Sequence, residues 1–553
     1  MQNKLCRIAT LVVFLCGIAA TAANGAPPVI DSRTLQSPQL DPAAADKERD
    51  RREARRLQER PKVQEDVIQD NSAQQEESAT AGPTFELKSV RFTESDYLSR
   101  EQLLDIISPW LGQEVSFADL QKLVDAVNKR YRAEGVYTAT AVLPPQRIDS
   151  GLVLVRLIEG KLGGLRFEGN DYTGEDYILG WIGHETQDKT IDVSALESDL
   201  LQYNRINSQV LQAELRAGES FGLTDIVIRV QEPARDSLDV SFDNYGFESN
   251  GEEELSALYQ RQSLWMSGDR SLAYLLISEG SQSLSLGYNA PVAASGWRVG
   301  ASLLHSKTKV IAGDFEDIDV EGGSTRVNFD SSYLALSETD YWLSLLLGAS
   351  STRSKTDVES VALSKYETHQ AQLGAEINWL TAAWQAYARQ MFSHVKADDQ
   401  LLSSDQSFNT SNTLLTLIHS PVSNWYGLFD LEGQYTRQRG VNGSQSFSLG
   451  GPTTLRGYAP GLVSGDYGWY QQTELHYTGL SERNSADVFV FYDYGLVRSL
   501  NPSQKLASAG IGITLAGNPW LRSDFTLGKA LKEVVPGQED WAAYLRFTCS
   551  CLN

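Results

Sequence analysis

The most constraining feature of the chain is a strand-like alternation of apolar and polar residues over its last part, about 320 residues long. After Arg235 the helical periodicity of apolar residues disappears. Leu238, Val240 and Phe242 alternate with serine and aspartate, and the pattern recurs in later segments. Because successive side chains of a β-strand point to opposite faces, each segment predicts a strand with one apolar face. Aromatic residues near many strand ends are typical of the girdles of a transmembrane β-barrel.

The length of this region sets the size of the predicted barrel. At about 20 residues per strand plus loop, residues 235–553 hold about 16 antiparallel strands, enough to enclose a polar lumen. One or two soluble β-sandwiches are the alternative, because their strands also alternate. The great length of the helix-free region favours a β-barrel membrane protein. Helical membrane spans are not expected, because no uncharged apolar run after the N-terminus reaches about 18 residues.

The first 26 residues have the three parts of a secretory signal peptide. Lys4 and Arg7 supply the positive charge, residues 8–20 form the apolar stretch, and small residues up to Ala26 provide a cleavage site. We therefore expect residues 1–26 to be removed on export. The mature chain then keeps two cysteines.

Those two cysteines, Cys549 and Cys551, are two residues apart near the C-terminus. On one strand their Cα atoms would lie about 6.6–6.8 Å apart, which is at the far limit for a disulfide. The sequence therefore predicts free thiols and excludes a disulfide-stapled scaffold.

Residues 27–83 lack apolar periodicity and are rich in Pro, Ala, Gln and charged residues. Within them, residues 46–60 (DKERDRREARRLQER) are good helix formers with interleaved charges, and Pro61 ends the run. One interpretation is a solvated helix or disordered tether. The other is a charged plug helix that occupies a polar cavity.

Residues 84–159 and 160–234 predict two tandem α+β units with the same element order, β-α-α-β-β. Gly151 and Gly222 precede the last strand of their units in the same way, and residues 231–235 form a linker. Neither unit carries a catalytic set of residues. We expect binding modules with exposed sheet edges that pair with an extended peptide.

Charges assign the faces of two strands near the C-terminus, because a charge facing lipid costs about 2–4 kcal/mol at the membrane midplane. In residues 487–495 (DVFVFYDYG) this rule points Asp493 into the lumen. In residues 468–477 (GWYQQTELHY) it points Glu474 and His476 inward. Two acidic groups are therefore predicted inside the barrel, and each needs compensation.

A Gly/Pro-rich loop, residues 450–468, lies between these strands and a preceding strand predicted at residues 444–449. Its single basic residue is Arg456. Composition alone is compatible with a solvent-exposed arginine. If the loop folds back into the lumen, Arg456 is instead expected to pair with Asp493 or Glu474 in a charge-assisted contact.

Two short motifs now carry a family resemblance. Leu455, Arg456, Gly457 and Tyr458 resemble the [VL]-R-G-[YF] signature of two-partner secretion transporters of the hemolysin-activator or filamentous-hemagglutinin type. In that family the signature stands at the tip of an inward-folded loop.

The second motif contains Phe491, Asp493 and Gly495, and it is similar to the F-x-D-x-G barrel-wall motif of the same family. The family's wall aspartate partners the loop arginine, and Glu474 is a further candidate lumen acid. The resemblance spans nearly the whole mature chain, including the charged helix, two POTRA domains and a sixteen-stranded barrel.

The resemblance implies an outer-membrane barrel whose POTRA domains lie in the periplasm and capture an unfolded, dedicated, large β-helical exoprotein. It also implies that the plug helix leaves the lumen during transport and that no nucleotide is hydrolysed. The expected partners are the exoprotein, outer-membrane lipid and the barrel-assembly machinery. Neither a cofactor nor a metal is expected.

One departure from the family concerns the C-terminus, which usually ends at an aromatic residue that serves in assembly. Here Phe547 is followed by six further residues. Either the last strand continues, with Phe547, Cys549 and Cys551 on its lipid face, or the tail hangs free.

Other functions fit the sequence less well. A net charge of −23 argues against a nucleic-acid partner. A general barrel-assembly factor of the same superfamily usually carries three to five POTRA units and no plug helix. A passive porin has no need of tandem peptide-binding modules. An enzyme is not predicted, since the six histidines are scattered and neither HExxH nor GxSxG occurs.

Overall fold

The chain is described by a computed structural model. It covers residues 42–47, 68–70 and 84–552, with short gaps at 135, 137–138, 149, 184–190, 219–222, 314, 481–484, 500–502 and 519. The predicted signal peptide lies outside the described residues, and so does the predicted charged helix beyond Lys47.

The N-terminal part contributes one helical segment and one short strand. Residues 42–47 form helix α1, and Ile68–Asp70 form strand β1. Among the described residues, no helix is long and apolar enough to cross a membrane.

The first α/β unit is built from short strands and two helices. Its elements are β2 Phe85–Glu86, β3 Ser89–Phe92, α2 Arg100–Ile107, β4 Glu114–Val115, α3 Phe117–Ala133, β5 Ala139–Val142 and β6 Leu152–Glu159. Strand β6 pairs in parallel with β3 and antiparallel with β5, while β2 and β4 form a separate ribbon. Within the described residues no strand pairs with the outer side of β5.

Helix α3 forms where an amphipathic run follows a capping box. The Ser116 side chain accepts a hydrogen bond from the backbone N–H of Asp119, whose carboxylate accepts one from the Ser116 backbone in return. The buried Tyr131 hydroxyl donates to Glu159 Oε1 at 2.8 Å and ties the helix to β6. Helix and sheet thereby enclose a continuous apolar core.

The second α/β unit repeats this order. Its elements are β7 Lys161–Glu168, α4 Glu175–Ile182, α5 Val193–Ile206, β8 Val210–Ala217 and β9 Leu223–Gln231. Strand β9 pairs in parallel with β7 and antiparallel with β8. Strand β1 then adds in parallel to the outer edge of β8, giving the order β1-β8-β9-β7. The two units therefore differ at one sheet edge, which β1 covers in the second unit.

The rest of the chain is almost entirely strand. The strands are β10 Asp236–Asp243, β11 Glu254–Gln262, β12 Arg270–Ile277, β13 Ser281–Pro291, β14 Trp297–Lys309, β15 Val320–Ser337, β16 Tyr341–Val358, β17 Val361–Leu380, β18 Trp384–Asp399, β19 Ser404–Val422, β20 Trp425–Thr436, β21 Phe447–Leu449, β22 Val463–Gly465, β23 Tyr467–Tyr477, β24 Ala486–Arg498, β25 Gln504–Asn518, β26 Leu521–Ala530 and β27 Trp541–Leu552.

Sixteen of these strands, β10–β20 and β23–β27, form a closed antiparallel barrel. Its first and last strands pair with each other in the register Val240↔Cys549 and Asp243↔Arg546. The predicted fold class and strand number are confirmed. Closure also removes the unpaired edges that an open sheet would expose.

The wall has an apolar outside and a polar inside. Leu373, Phe392 and Ile511 are exposed on the outer faces, whereas Ser306 and Ser508 are buried on the inner faces. This alternation is the arrangement that a lipid-facing surface around a polar lumen requires.

The second α/β unit docks against one end of the barrel, here called the mouth. The backbone N–H of Gly174 donates to Ser267 Oγ at 3.0 Å, and Arg205 Nη2 donates to the Thr339 carbonyl at 3.1 Å. Ser267 and Thr339 lie in turns at the same end of the barrel. The mouth therefore opens toward the α/β units.

The strand predicted at residues 444–449 is shorter than expected and is not part of the barrel wall. Its second half forms β21, which pairs with β22 in a separate two-stranded sheet. Phe447 and Leu449 are buried on this small sheet. The alternation of the segment is matched by an inner hairpin as well as by a wall strand, so it predicts a strand but not its place in the fold.

The last strand continues beyond Phe547 to Leu552, so the tail does not hang free. Cys549 is half-buried, Cys551 is exposed, and both are free, with their sulphur atoms 2.9 Å apart. The extra residues extend the pairing of β27 with β10 and lengthen the closure of the barrel.

Candidate functional site

The candidate site is formed by a long loop, residues 437–466, that leaves β20 and lies inside the barrel before β23 begins. Most of its side chains are buried, including Leu455, Arg456 and Tyr458. Gly450 and Gly451 turn the chain with φ of 112° and 101°, values that side chains other than glycine rarely adopt. This loop, here called the inner loop, fills part of the lumen and meets the wall at β23–β27.

Arg456 makes the central contact between the inner loop and the wall. Its Nε and Nη2 atoms donate to the two carboxylate oxygens of Asp493 at 2.9 and 2.6 Å, and its backbone N–H donates to the same carboxylate at 3.0 Å. Its Nη1 atom donates to Glu474 Oε1 at 2.6 Å. The structure thus brings together the predicted arginine and both predicted lumen acids.

Burial makes this contact strong. Arg456 is 5% exposed and Asp493 is fully buried. A bidentate arginine–carboxylate contact is geometrically specific, and breaking such a pair when it is buried costs about 3–5 kcal/mol. The guanidinium carbon also lies 3.8 Å from the centre of the Phe491 ring, in cation–π geometry. The Phe491 ring therefore packs against the face of the guanidinium, and Asp493 fixes the orientation of the guanidinium.

A polar chain continues from Glu474 along the inner wall. The other carboxylate oxygen of Glu474, Oε2, lies 2.7 Å from His476 Nε2. His476 Nδ1 in turn lies 3.0 Å from Asp487 Oδ1. The Tyr426 hydroxyl donates to Asp487. His476 was predicted to face inward, but sequence reasoning did not assign its contacts with two carboxylates.

Glycines allow the loop tip to approach the wall. A Cβ on Gly457, whose φ is 102°, would lie 2.8 Å from the carbonyl carbon of Lys529, and a Cβ on Gly528 would lie 2.6 Å from the Gly457 nitrogen. A Cβ on Gly495 would lie 2.8 Å from Leu455 Cδ1. Gly495 and Gly457 were predicted site residues. Gly528 was not, although a glycine inside a strand often marks a close backbone approach.

The remaining motif residues hold the tip in place. Leu455 is fully buried in an apolar cluster with Leu449 and Tyr470. The Tyr458 hydroxyl donates a hydrogen bond to the Ala507 carbonyl at 2.8 Å. The backbone carbonyl of Tyr458 accepts a hydrogen bond from the Tyr544 hydroxyl. All four residues of the predicted loop motif therefore contact the wall or the loop core.

Helix α1 lies in the same lumen. Ser306 Oγ on β14 donates to Asp46 Oδ2 at 2.7 Å. Lys47 Nζ donates to Gln434 Oε1 at 2.8 Å and to the carbonyl of Ser446, on the inner loop, at 2.7 Å. Ala43, Ala44, Ala45 and Asp46 are buried. The first residues of the predicted charged helix thus contact both the wall and the inner loop.

Beside α1 the lumen contains a cavity of about 410 Å³ with a polar lining. Most of its lining residues carry hydroxyl or amide side chains, among them Ser350, Thr352, Gln370, Gln372 and Asn412. Uncharged donors and acceptors of this kind can hydrogen-bond peptide groups without binding them tightly. Across the part of the chain that the structure describes, no cluster of His, Cys, Asp and Glu has the makeup of a metal site.

Comparisons with known proteins agree with this architecture. Residues 222–515, more than half of the chain, match the family described as haemolysin secretion/activation protein ShlB/FhaC/HecB. Residues 85–160 match the POTRA domain of the ShlB type.

Individual proteins are similar over most of their length. The heme/hemopexin transporter protein HuxB of Haemophilus influenzae (strain 86-028NP) is 23% identical over 449 residues, which cover 75% of this chain and 78% of the relative. The outer membrane transporter CdiB of Dickeya dadantii (strain 3937) is 23% identical over 481 residues, which cover 82% and 84%.

A solved structure supports the fold. CdiB from Escherichia coli superposes with a TM-score of 0.66 at 18% identity, covering 92% of this chain and 99% of that structure. Together with the match over residues 222–515, the closed sixteen-stranded barrel and the inward loop lead to one conclusion. The chain belongs to the haemolysin secretion/activation protein family ShlB/FhaC/HecB, and it is an outer-membrane β-barrel transporter.

Proposed function

We propose that this outer-membrane translocator captures one dedicated, unfolded, large β-helical exoprotein in the periplasm and exports it through the barrel without nucleotide hydrolysis. Adhesins and hemolysins are the class of exoprotein that we expect. The proposal rests chiefly on one observation. A helix near the N-terminus lies in a polar lumen, where it contacts wall and inner loop, and a strand that follows it in the chain pairs with a periplasmic sheet.

Capture is the first step of the proposal. Residues 160–234 act as a second POTRA domain beside the one at 85–160. An extended segment of the exoprotein adds to a free sheet edge, since main-chain hydrogen bonds hold any sequence in that position. The outer side of β5, which no described strand occupies, is the edge that we assign to this step.

Opening of the lumen is the second step. Helix α1 acts as the plug, and β1 lies between it and the first POTRA domain in the chain. Because β1 occupies the edge of β8, an incoming segment that displaces β1 also frees the linker to α1. Capture on β5 and plug release at β8 are thus two successive strand-pairing steps on neighbouring domains.

The inner loop stays fixed to the wall through Arg456 and guides the passing chain along the polar lumen. The hydroxyl and amide side chains beside α1 offer the moving backbone transient hydrogen bonds. Folding of the exoprotein outside the cell biases movement outward, so no catalytic residue and no cofactor take part. The apolar outer faces contact outer-membrane lipid, and the barrel-assembly machinery inserts the barrel.

Deletion of residues 84–159 tests the capture step. We expect secretion of the exoprotein to stop while the barrel still folds and shifts its electrophoretic mobility on heating. Continued secretion would remove the first POTRA domain from the mechanism. If other outer-membrane barrels fail to assemble in the deletion strain, the chain is a general assembly factor instead.

A further inference from the structure

A second cluster of arginines lies at the mouth, far from Arg456. It lines a cavity of about 480 Å³ between the C-terminal end of α5 and the inner faces of barrel strands β12 to β19. Arg205 comes from α5, Arg270 from β12 and Arg298 from β14. Trp342 adds an apolar wall. This cavity, here called the vestibule, stands where the second α/β unit meets the lumen.

Arg298 joins the two parts of the molecule and forms no ion pair with a carboxylate of the described residues. Its Nη1 atom donates to the carbonyl of Ile206, the last residue of α5, at 3.1 Å. Its Nη2 atom donates to the carbonyl of Gly268 at 3.0 Å, and its Nε atom donates to the side-chain oxygen of Asn289. A cation is favoured at the C-terminal end of a helix. These neutral oxygens satisfy its donors, and the carboxylates of Asp269 and Asp330 act on its charge only through space.

Among the described residues, Arg205 also has no carboxylate partner. Its Nη2 atom donates to the Thr339 carbonyl, and its guanidinium carbon lies 3.8 Å from the centre of the Trp342 ring. Its Nε atom is buried and has no hydrogen-bond partner among the residues that the structure describes. Burial lowers the pKa of this guanidinium, as expected for a cation that lacks a nearby anion.

Arg270 is open to the cavity and makes no ion pair with any described residue. The neighbouring Asp269 is fully buried, and its carboxylate accepts the backbone N–H groups of residues 264–266 and the Tyr288 hydroxyl. Glu376 faces the vestibule but accepts the Tyr387 hydroxyl at 2.9 Å. The arginines therefore outnumber the acids in the lining of the vestibule.

We propose that the vestibule is an anion-binding site that holds carboxylate side chains of the exported polypeptide as it passes from the second POTRA domain into the lumen. This inference rests on the proposed function. A carboxylate there receives charge-assisted hydrogen bonds from Arg270 and from the free Nε–H of Arg205. Trp342 packs against its methylene groups. In a chain of net charge −23, a local excess of arginine also concentrates acidic segments at the mouth.

Peptide binding to the full-length protein in detergent tests the site. The probe is a fluorescein-labelled Ser-Glu repeat of eight residues, and its Ser-Gln counterpart has the same backbone without the charge. Fluorescence anisotropy at low salt measures both dissociation constants. We expect the Ser-Glu peptide to bind more tightly, and Arg270→Gln to weaken it about tenfold.

Lys309→Gln is the matched control, because it removes the same charge at the opposite end of the barrel, where Lys309 pairs with Asp319 and Glu321. It should leave binding unchanged. Equal affinity for the two peptides, or no effect of Arg270→Gln, overturns the site.

Exoprotein secretion by the same variants separates the two proposals. If the unmodified protein secretes normally but does not prefer the Ser-Glu peptide, the proposed anion site is contradicted and the export function is not. Arg270-dependent binding by a protein that secretes nothing supports the anion site and contradicts the export function.

Discussion

Two groups of arginines lie inside one barrel, and their surroundings differ. Arg456 is buried against Asp493 and Glu474, so its charge is met by two carboxylates. Arg205, Arg270 and Arg298 at the mouth contact neutral oxygens, an aromatic ring or open space. The same side chain thus serves as a clamp where acids surround it and as a docking point where they do not.

The difference follows from the cost of burying charge. A buried cation needs a counter-charge, because desolvation alone costs several kcal/mol per ion. At the inner loop the protein supplies the counter-charge itself, and the geometry is fixed. At the vestibule Arg298 is 5% exposed and its donors are met by neutral oxygens, whereas Arg270 is exposed to the cavity and stays available to a ligand.

The largest expected effect comes from Arg456→Ala. It leaves the fully buried Asp493 without its partner, which should lower the free energy of unfolding by about 3–5 kcal/mol. Exoprotein secretion should fall, while the barrel still reaches the membrane. The temperature of its electrophoretic mobility shift measures the loss of stability.

Arg270→Ala is the matched control at the mouth. Because Arg270 makes no ion pair with the residues that the structure describes, the unfolding temperature of this variant should stay at the value of the unmodified protein. Equal destabilisation by the two substitutions would erase the distinction between clamp and vestibule.

A smaller effect is expected from Gly457→Ala at the loop tip. A left-handed backbone costs a residue with a Cβ about 1–2 kcal/mol, and here the Cβ would also meet Lys529 at 2.8 Å. Gly440 lies in the same loop with a φ of 66°. Gly440→Ala therefore has the same backbone strain, but its Cβ would have no neighbouring atom within 4 Å. Thermal unfolding of the two variants should rank Gly457→Ala as the more damaging. The reverse order would show that the tip does not press against the wall.

The smallest effect concerns a carboxylate outside the barrel. Hydrogen bonds from the Ser116 backbone and side chain lower the pKa of Asp119 to about 2. Because the folded state has the lower pKa, this cap stabilises α3 fully above pH 4 or so and loses its effect as the pH falls toward 2.

Hydrogen exchange in the first turn of α3 measures this cap. Asp119→Asn should speed hydrogen exchange in that turn at pH 5. At pH 2 its exchange rate should differ little from that of the unmodified protein. An equal difference at both values would contradict the assigned pKa.

The sequence predicts the barrel well because its signals are local. Alternation identifies the wall strands, and the cost of a charge facing lipid points Asp493 and Glu474 inward before any contact is known. Helix α3 forms where an amphipathic run and a capping box coincide, and both are local signals. The pairing of Arg456 was one of two alternatives, and only the folded loop distinguishes them.

Other features depend on distant parts of the chain. Strand β21 was predicted as residues 444–449 without its place in the fold, and β22 was predicted as part of the loop, because three-residue strands have the same alternation wherever they lie. The vestibule was not predicted, since Arg205, Arg270 and Arg298 come from separate elements that only the docking of α5 on the mouth brings together. Gly528 was missed because its partner, Gly457, approaches it only in the closed barrel.

The central claim is that the exoprotein passes through the lumen. A photo-crosslinking amino acid in place of Gln372, which lines the cavity beside α1, samples that path. Leu373, its neighbour on the lipid face, is the control. With the exoprotein stalled during export, we predict crosslinks to it from position 372 and none from position 373. No crosslink at 372, or equal crosslinking at both positions, would contradict passage through the barrel.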